Sequence, residues 1–387
     1  MLNDMYIVKY YCVVCGFWPF TNKHISLFQQ SVYFFALLSI TIPCGIHLYR
    51  HRSDIDKVCE SLSMGSLLPL SIICFKSLVR SRKFLKRMFN LISEDYTLIS
   101  KNKHELKVFL NISRRSKLFI TVYVGYTSIT CVIFLIVSFL PPLIYKRLNI
   151  NKTYEANLPL KMDYYYFDKN DYYVLTTIHQ FTAGLYGVAT VVCVDVLLFT
   201  FCLHVYGLFT VLRFKLNHIM INEETLEYLT DTKKMYRRAS DCVVAYMKIL
   251  KLIEEINNVF SYCLLLSIAI IILLVSFHGT VILYKLTEIR FVCEELLLAV
   301  GQLLHLFFNC FTGQLVNTQN AILPSVIYDV EWYNASPEIK TLIQIILYQS
   351  QKECNIYVGK TLVLSNDFFA TIIKTIFSYL NLLNSQR

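Results

Sequence analysis

The sequence predicts an all-α membrane protein with seven transmembrane helices, a cytoplasmic N-terminus, an extracellular C-terminus and helices that extend into a cytoplasmic bundle. Three observations lead there. Only 17% of the 387 residues are charged and 55% are hydrophobic, whereas a soluble domain carries about 25% charged residues. The mean hydropathy is +0.48, and the excess sits in long apolar runs of the length that crosses a bilayer. Lysine and arginine are also unevenly divided between the segments that separate those runs.

In chain order the predicted spans are Leu27 to Tyr49, Val58 to Val79, Leu118 to Leu140, Val174 to Leu212, Val259 to Tyr284, Phe291 to Thr312 and Ile356 to Leu383. Residues 1–26 lack the basic leader, apolar middle and small-residue site of a cleavable signal, so the first span is expected to act as the insertion signal. The second span is the weakest, interrupted by Glu60, Pro69 and Lys76. Pro141 and Pro142 are expected to stop the third helix. The outer segment that follows holds Asp163, Tyr164, Tyr165 and Tyr166, suited to capping an outer cavity or to an interfacial aromatic belt. The fourth run would be roughly 58 Å long as a helix against a ~30 Å hydrocarbon core, so it must tilt, kink near Gly184 and Gly187, or continue into the cytoplasm. Ala245, Ile249, Leu252, Ile253 and Ile256 keep helical spacing, which predicts a fifth helix that begins in the cytoplasm and continues through the membrane. Thr341 to Tyr348 reads as a further short cytoplasmic helix. The whole chain, 1–387, is one membrane domain. Its parts are an N-terminal segment (1–26), six spans (27–312), a cytoplasmic segment (313–355) and a last helix (356–387), because no intervening segment is long enough for a separate core.

Segments 1–26, 80–117, 213–255 and 313–355 hold 2, 11, 8 and 2 Lys and Arg residues, against 3, 5, 2 and 1 on the other side, a division of 23 to 11. Basic residues concentrate in the cytoplasm, which places the N-terminus inside. Of the three sequons, at Asn111, Asn151 and Asn334, this orientation exposes Asn151 alone to glycosylation. The orientation is opposite to that of a G-protein-coupled receptor, and the DRY and NPxxY motifs of that class are missing. The net charge of +10 divides by membrane side and forms no single basic face, which argues against a nucleic-acid partner.

No nucleotide loop, nucleophile elbow or metal-binding histidine pair is present, so no enzyme activity, cofactor or metal is expected. His179, His204, His278 and His305 fall within spans, where a polar residue is a functional hypothesis but more often a satisfied structural one. Most of the 13 cysteines fall in or beside spans and read as packing; Cys12 and Cys15 form a lone CxxC, a weak sign of zinc or redox chemistry. The last span is more informative. Asp367, Thr371, Lys374, Ser378, Asn381 and Ser385 lie within about 60° of one another's mean position at 100° per residue. Phe369, Ile372, Ile373, Ile376, Leu380 and Leu383 occupy the opposite side. A polar stripe cannot face lipid and must face protein or water. Leu382 lies on its edge, about 40° from Ser378, where one apolar ring in a wet path would gate by dewetting. The alternative is a buried hydrogen-bonded helix interface.

Two regions resemble the insect odorant receptor family. Gly16, Phe17, Trp18 and Pro19 match its G-x-W-P signature, and Tyr328, Trp332, Tyr333, Ser350, Gln351, Lys352, Leu364, Phe369, Lys374, Ser378 and Tyr379 match its C-terminal pattern. The resemblance implies an odorant-tuning subunit of a ligand-gated, non-selective cation channel, assembled with a shared co-receptor in the plasma membrane of a sensory neuron. It implies a pore lined by the last helix, with an apolar gate four residues after the Ser of Ser-Tyr, which is Leu382. The family's co-receptor carries a much longer segment between its fourth and fifth spans, so this chain resembles the tuning subunit; a gustatory receptor of the same superfamily is the alternative. Odorants of the family bind in the outer half of the membrane among spans two to six. The candidates here are Ser66, Phe134, Ser138, His179, Thr182, Tyr186 and Phe277, with apolar walls suited to a small volatile ligand and membrane lipid around them.

Overall fold

The computed structural model describes residues 6–65, 67–147, 162, 164, 172–221, 228–352 and 354–385. They form α1 (Tyr6–Val14), α2 (Lys23–Arg50), α3 (Ile55–Met64), α4 (Leu67–Ile99), α5 (Lys103–Arg147), α6 (Tyr173–Asn217), α7 (Thr232–Tyr284), α8 (Ile289–Asp329), α9 (Pro337–Ser350) and α10 (Asn366–Ser385), with a two-stranded hairpin, β1 (Tyr357–Val358) and β2 (Leu362–Val363), before the last helix. Helices α2, α5, α6, α7 and α8 are long and apolar enough to cross a membrane. The second and seventh predicted spans correspond to α3–α4 and to α10; α10 is less apolar because of its polar stripe.

Several helices are longer than the runs that predicted them: α4, α5, α7 and α8 each continue well past their apolar stretch, so that most of the 80–117 segment is helical and α7 begins at Thr232. Helix α7, with 53 residues, is roughly 80 Å long and far exceeds a ~30 Å hydrocarbon core. It starts at an Asp231 cap that accepts from the Lys233 and Lys234 amides and runs unbroken to Tyr284, as the spacing from Ala245 to Ile256 predicted. Helix α6 passes Gly184 and Gly187 without a break in the helix.

Three expectations are corrected. Pro141 and Pro142 do not end the third helix, which runs to Arg147; two missing donors near a helix end are tolerated where little helix follows. The second span is two helices, broken between Met64 and Leu67, and Pro69 falls in the first turn of α4, where its missing N–H has no intrahelical partner to lose. The last helix begins at Asn366 and not near Ile356. Residues 356–364 turn back on themselves at Gly359, whose φ of 66° suits glycine.

Helix α6 is the central post. Its apolar window is 83% buried, against 17% for α2 and 11% for α5, and Val196, Leu197, Phe199, Phe201 and Cys202 are wholly enclosed. A helix apolar on every side belongs inside a bundle. Around it, buried and half-buried polar side chains serve as partners for backbone outside regular structure. The hairpin is fastened on both sides: the Asn257 side chain on α7 donates to the Asn355 carbonyl and accepts from the Tyr357 amide at 2.8 and 2.9 Å. Asn317 on α8 does the same for Leu364 and Ile356, both at 3.0 Å. These side chains satisfy the irregular backbone that regular structure leaves open.

The N-terminal motif is a structural knot. Gly16 takes a φ of 75°, Phe17 and Trp18 are buried, and Trp18 packs on Phe89 of α4 at 4.9 Å between centroids. Arg82 closes it, donating to the Ser26 hydroxyl at 2.7 Å and to the Thr21 carbonyl at 2.8 Å. Cys12 and Cys15 are buried with it, the Cys12 sulfur 3.6 Å from that of Cys193. In the extensions, Asp95 of α4 binds His204 of α6 at 3.0 Å and Lys248 of α7. Burial raises its carboxyl, but hydrogen bonds and charge from His204 and Lys248 outweigh that and hold it below the ordinary carboxylate value. Helix α9 extends the predicted Thr341–Tyr348 segment in both directions and buries Ile339, Ile343 and Ile346.

Candidate functional site

A cavity of about 170 Å³ lies between α4, α5, α6 and α8, with Ile40 of α2 at its edge. Helical periodicity selects its walls. Helix α5 contributes Tyr123, Tyr126, Thr127, Thr130, Cys131 and Phe134, whose spacing of three, one, three, one and three traces one helix face. Helix α6 contributes Gln180, Gly184, Val188 and Val191 from a similar stripe, and α8 contributes Leu298, Gly301, Gln302 and His305.

One side of the cavity ends in a buried polar cluster. Asp195 on α6 accepts from the Tyr123 hydroxyl of α5, while its other carboxylate oxygen accepts from the Asn309 amide of α8 at 3.0 Å. The His305 Nδ1 lies 2.6 Å from the oxygen shared with Tyr123. Thus three side chains from two helices surround one acid, and Tyr123 and His305 reach the cavity wall. A second cluster lies between α7 and α8, where His278 Nδ1 meets Glu295 at 2.5 Å with both side chains fully enclosed. The Nε2 atom of His278 is 3.3 Å from the Gln302 amide, and Gln302 is itself a wall residue. The next residue, Gly279, faces Leu380 of α10 so closely that a Cβ there would come within 2.0 Å of its Cδ1.

Of the predicted ligand residues, Phe134 lines this cavity. Ser138 continues the same α5 stripe by spacing, but its side chain, like Ser66 and the sequon Asn151, lies outside the described residues. His179, Thr182, Tyr186 and Phe277 do not line it. Thr182 and Tyr186 stand about 200° round α6 from Gln180 and Gly184; Thr182 is exposed, and Tyr186 meets Tyr33 edge-on at 6.0 Å. His179 bonds Ser39 of α2 and Tyr164, both at 2.9 Å, so it links those two residues. Phe277 is half-buried on α7, a helix that contributes nothing to these walls. The wall stripe on α5 was present in the sequence as Tyr123, Tyr126, Thr127, Thr130 and Phe134, but mixed aromatic and hydroxyl residues in an apolar run look the same whether they face a cavity or a neighbouring helix.

The last helix places its two sides as the spacing predicted. Ile372 and Ile376 are buried where α10 packs on α7 and α8. Asp367, Thr371, Lys374, Ser378, Asn381 and Ser385 are all exposed, and Leu382 is 51% exposed beside them. The stripe is therefore not an interface within the subunit. Thr371 and Ser385 satisfy their hydroxyls on their own helix, donating to Asp367 and Leu382 carbonyls at 3.0 and 2.9 Å.

Comparison with known proteins agrees with this architecture. The family model described as 7tm Odorant receptor matches residues 54–377. The chain is 22% identical to odorant receptor 82a of Drosophila melanogaster, covering 94% of this chain and 91% of that one. It is 24% identical to odorant receptor 85b of the same species, covering 90% of each. The odorant receptor coreceptor of Ooceraea biroi is 25% identical over 142 residues, which is 35% of this chain and only 29% of the coreceptor's length. Among solved structures, the insect olfactory receptor OR5 from Machilis hrabei in complex with eugenol shares the fold with a TM-score of 0.78 at 16% identity, over 100% of this chain and 99% of that one. This chain is a multi-pass membrane protein of the insect odorant receptor family, and so a receptor or channel, not an enzyme.

Proposed function

We propose that the chain is the odorant-tuning subunit of a heteromeric, ligand-gated, non-selective cation channel in the plasma membrane of a sensory neuron. The observation that carries this reading is the exposed stripe of α10. A row of polar side chains on a membrane helix must meet water or protein, and here the subunit itself does not cover it. Other subunits arranged around a central path would do so, with Asp367, Thr371, Lys374, Ser378, Asn381 and Ser385 lining the path and Leu382 forming its apolar constriction. α3–α4 and α10 supply the second and seventh crossings, with the N-terminus inside. The partial likeness to coreceptors suggests a coreceptor as the partner, and likeness to odorant receptors along nearly the whole chain favours the tuning role. Odorant would occupy the cavity between α4, α5, α6 and α8, since the solved relative is named as a complex with eugenol, a small aromatic volatile. Family membership sets the odorant reading ahead of the gustatory and G-protein-coupled alternatives.

Expression with and without a coreceptor tests the proposal. The chain alone should give little or no odorant-evoked current, and the pair a robust cation current. A second-messenger response that persists without coreceptor and without cation current would overturn it.

A further inference from the structure

We infer that the cavity selects an uncharged, ring-sized ligand bearing one hydrogen-bond acceptor, and that the Tyr126 hydroxyl is the donor that recognises it. This rests on the reading of the chain as an odorant-gated channel and names the chemical class that the site would take.

Size comes first. The cavity holds about 170 Å³, close to an engineered apolar protein cavity of about 150 Å³ that takes up benzene. One six-membered ring with a short substituent, or an open chain of similar bulk, fills it. Charge comes second. Among the described residues, no Lys, Arg, Asp or Glu lines the walls. The nearby acid, Asp195, already has Tyr123, His305 and Asn309 around it. An ammonium or carboxylate ligand would therefore enter without a counter-charge, and a buried unpaired charge is strongly disfavoured. Phe134 and Phe181 on the walls offer ring faces and edges to an aromatic guest.

The polar groups then narrow the ligand further. The Thr127 and Thr130 hydroxyls donate to the Val124 and Tyr126 carbonyls of their own helix at 2.9 and 3.0 Å, so their protons are committed. Tyr123 spends its proton on Asp195. Tyr126 differs: it is a wall residue, and among the described residues its buried hydroxyl oxygen has no hydrogen-bond partner. A buried donor left unmade is costly, and a ligand that completes it gains what an isostere lacking the acceptor does not. The phenol sits one helical turn from Thr130 on a side chain with two torsions, and rotation about them is what would bring its hydroxyl to a carbonyl, ether or ester oxygen within the cavity.

Acetophenone and α-methylstyrene are matched probes, since the second replaces the carbonyl oxygen of the first by a methylene and leaves ring and shape unchanged. Their half-maximal concentrations should be compared on the chain co-expressed with coreceptor, in parent and Tyr126→Phe forms. Calorimetric binding to the purified heteromer should accompany the currents. The parent should prefer the ketone by about tenfold, the worth of one hydrogen bond. Tyr126→Phe should remove that preference by weakening the ketone alone. Equal potency in the parent, or a preference that survives in Tyr126→Phe, overturns the inference, and the parent's preference decides the matter if the variant fails to reach the surface. If both probes are inert while charged or two-ring odorants evoke current, the ligand class is wrong and the channel reading stands. If no odorant evokes current, the channel reading fails, and calorimetry with the same two probes still decides the ligand class.

Discussion

The cavity region and the outer face of α10 handle polar groups in opposite ways. Beside the cavity, Asp195 is enclosed, and hydrogen bonds from three directions hold it. On α10 an acid, a base and several hydroxyl and amide groups stand exposed, with no partner from a neighbouring helix among their described contacts for Thr371 and Ser385, which bond only to their own backbone. The first arrangement is complete within one subunit and fixes three helices against each other. The second is incomplete within one subunit and makes sense only with water or further subunits beside it. The contrast separates polar residues that hold the bundle together from those left open to water or to another subunit, and composition alone does not make that distinction.

The largest expected effect breaks the enclosed side of the comparison. Asp195→Leu should strand Tyr123, His305 and Asn309 without their acceptor. Disrupting one partner of a buried charged network costs about 3–5 kcal/mol, a large fraction of the stability of a domain. Surface labelling and thermal unfolding in detergent should both show the loss. A normal surface level with unchanged unfolding temperature would mean that the cluster is not structural.

A smaller effect is expected on the exposed side. Leu382→Ser should reach the surface at the parental level, because a half-exposed leucine contributes little to the packing of this subunit. It should raise basal current in the co-expressed channel by hydrating an apolar constriction, partially if other subunits keep their own apolar residues there. Basal current, maximal current and selectivity identical to the parent would mark Leu382 as an ordinary contact between subunits.

Much of this architecture was legible because the physics is local and periodic. Apolar runs mark the long helices, the spacing from Ala245 to Ile256 joins the fifth span to a helical segment ahead of it, and a 100° increment separates the two sides of α10. The misses have one common cause: they depend on partners distant in sequence. Nothing near residue 356 reveals that Asn257 and Asn317 hold a hairpin there. His179 has the polarity of a ligand contact, yet Ser39 and Tyr164 occupy it. Asp195, central to the polar cluster, lies inside a long apolar run, and its partners come from positions 123, 305 and 309 on two other helices.

The central claim is that the exposed stripe of α10 lines an ion path in an assembly with a coreceptor. Substituted-cysteine modification tests it most directly. Thr371→Cys and Ser378→Cys would be compared with Phe377→Cys, which is also exposed in the subunit but about 100° round the helix from Ser378, with the parent and its native thiols as baseline. The account predicts that a membrane-impermeant, positively charged thiol reagent applied during odorant stimulation alters current at positions 371 and 378 and leaves position 377 at the parental level. Equal modification at all three, or at 377 alone, would contradict it.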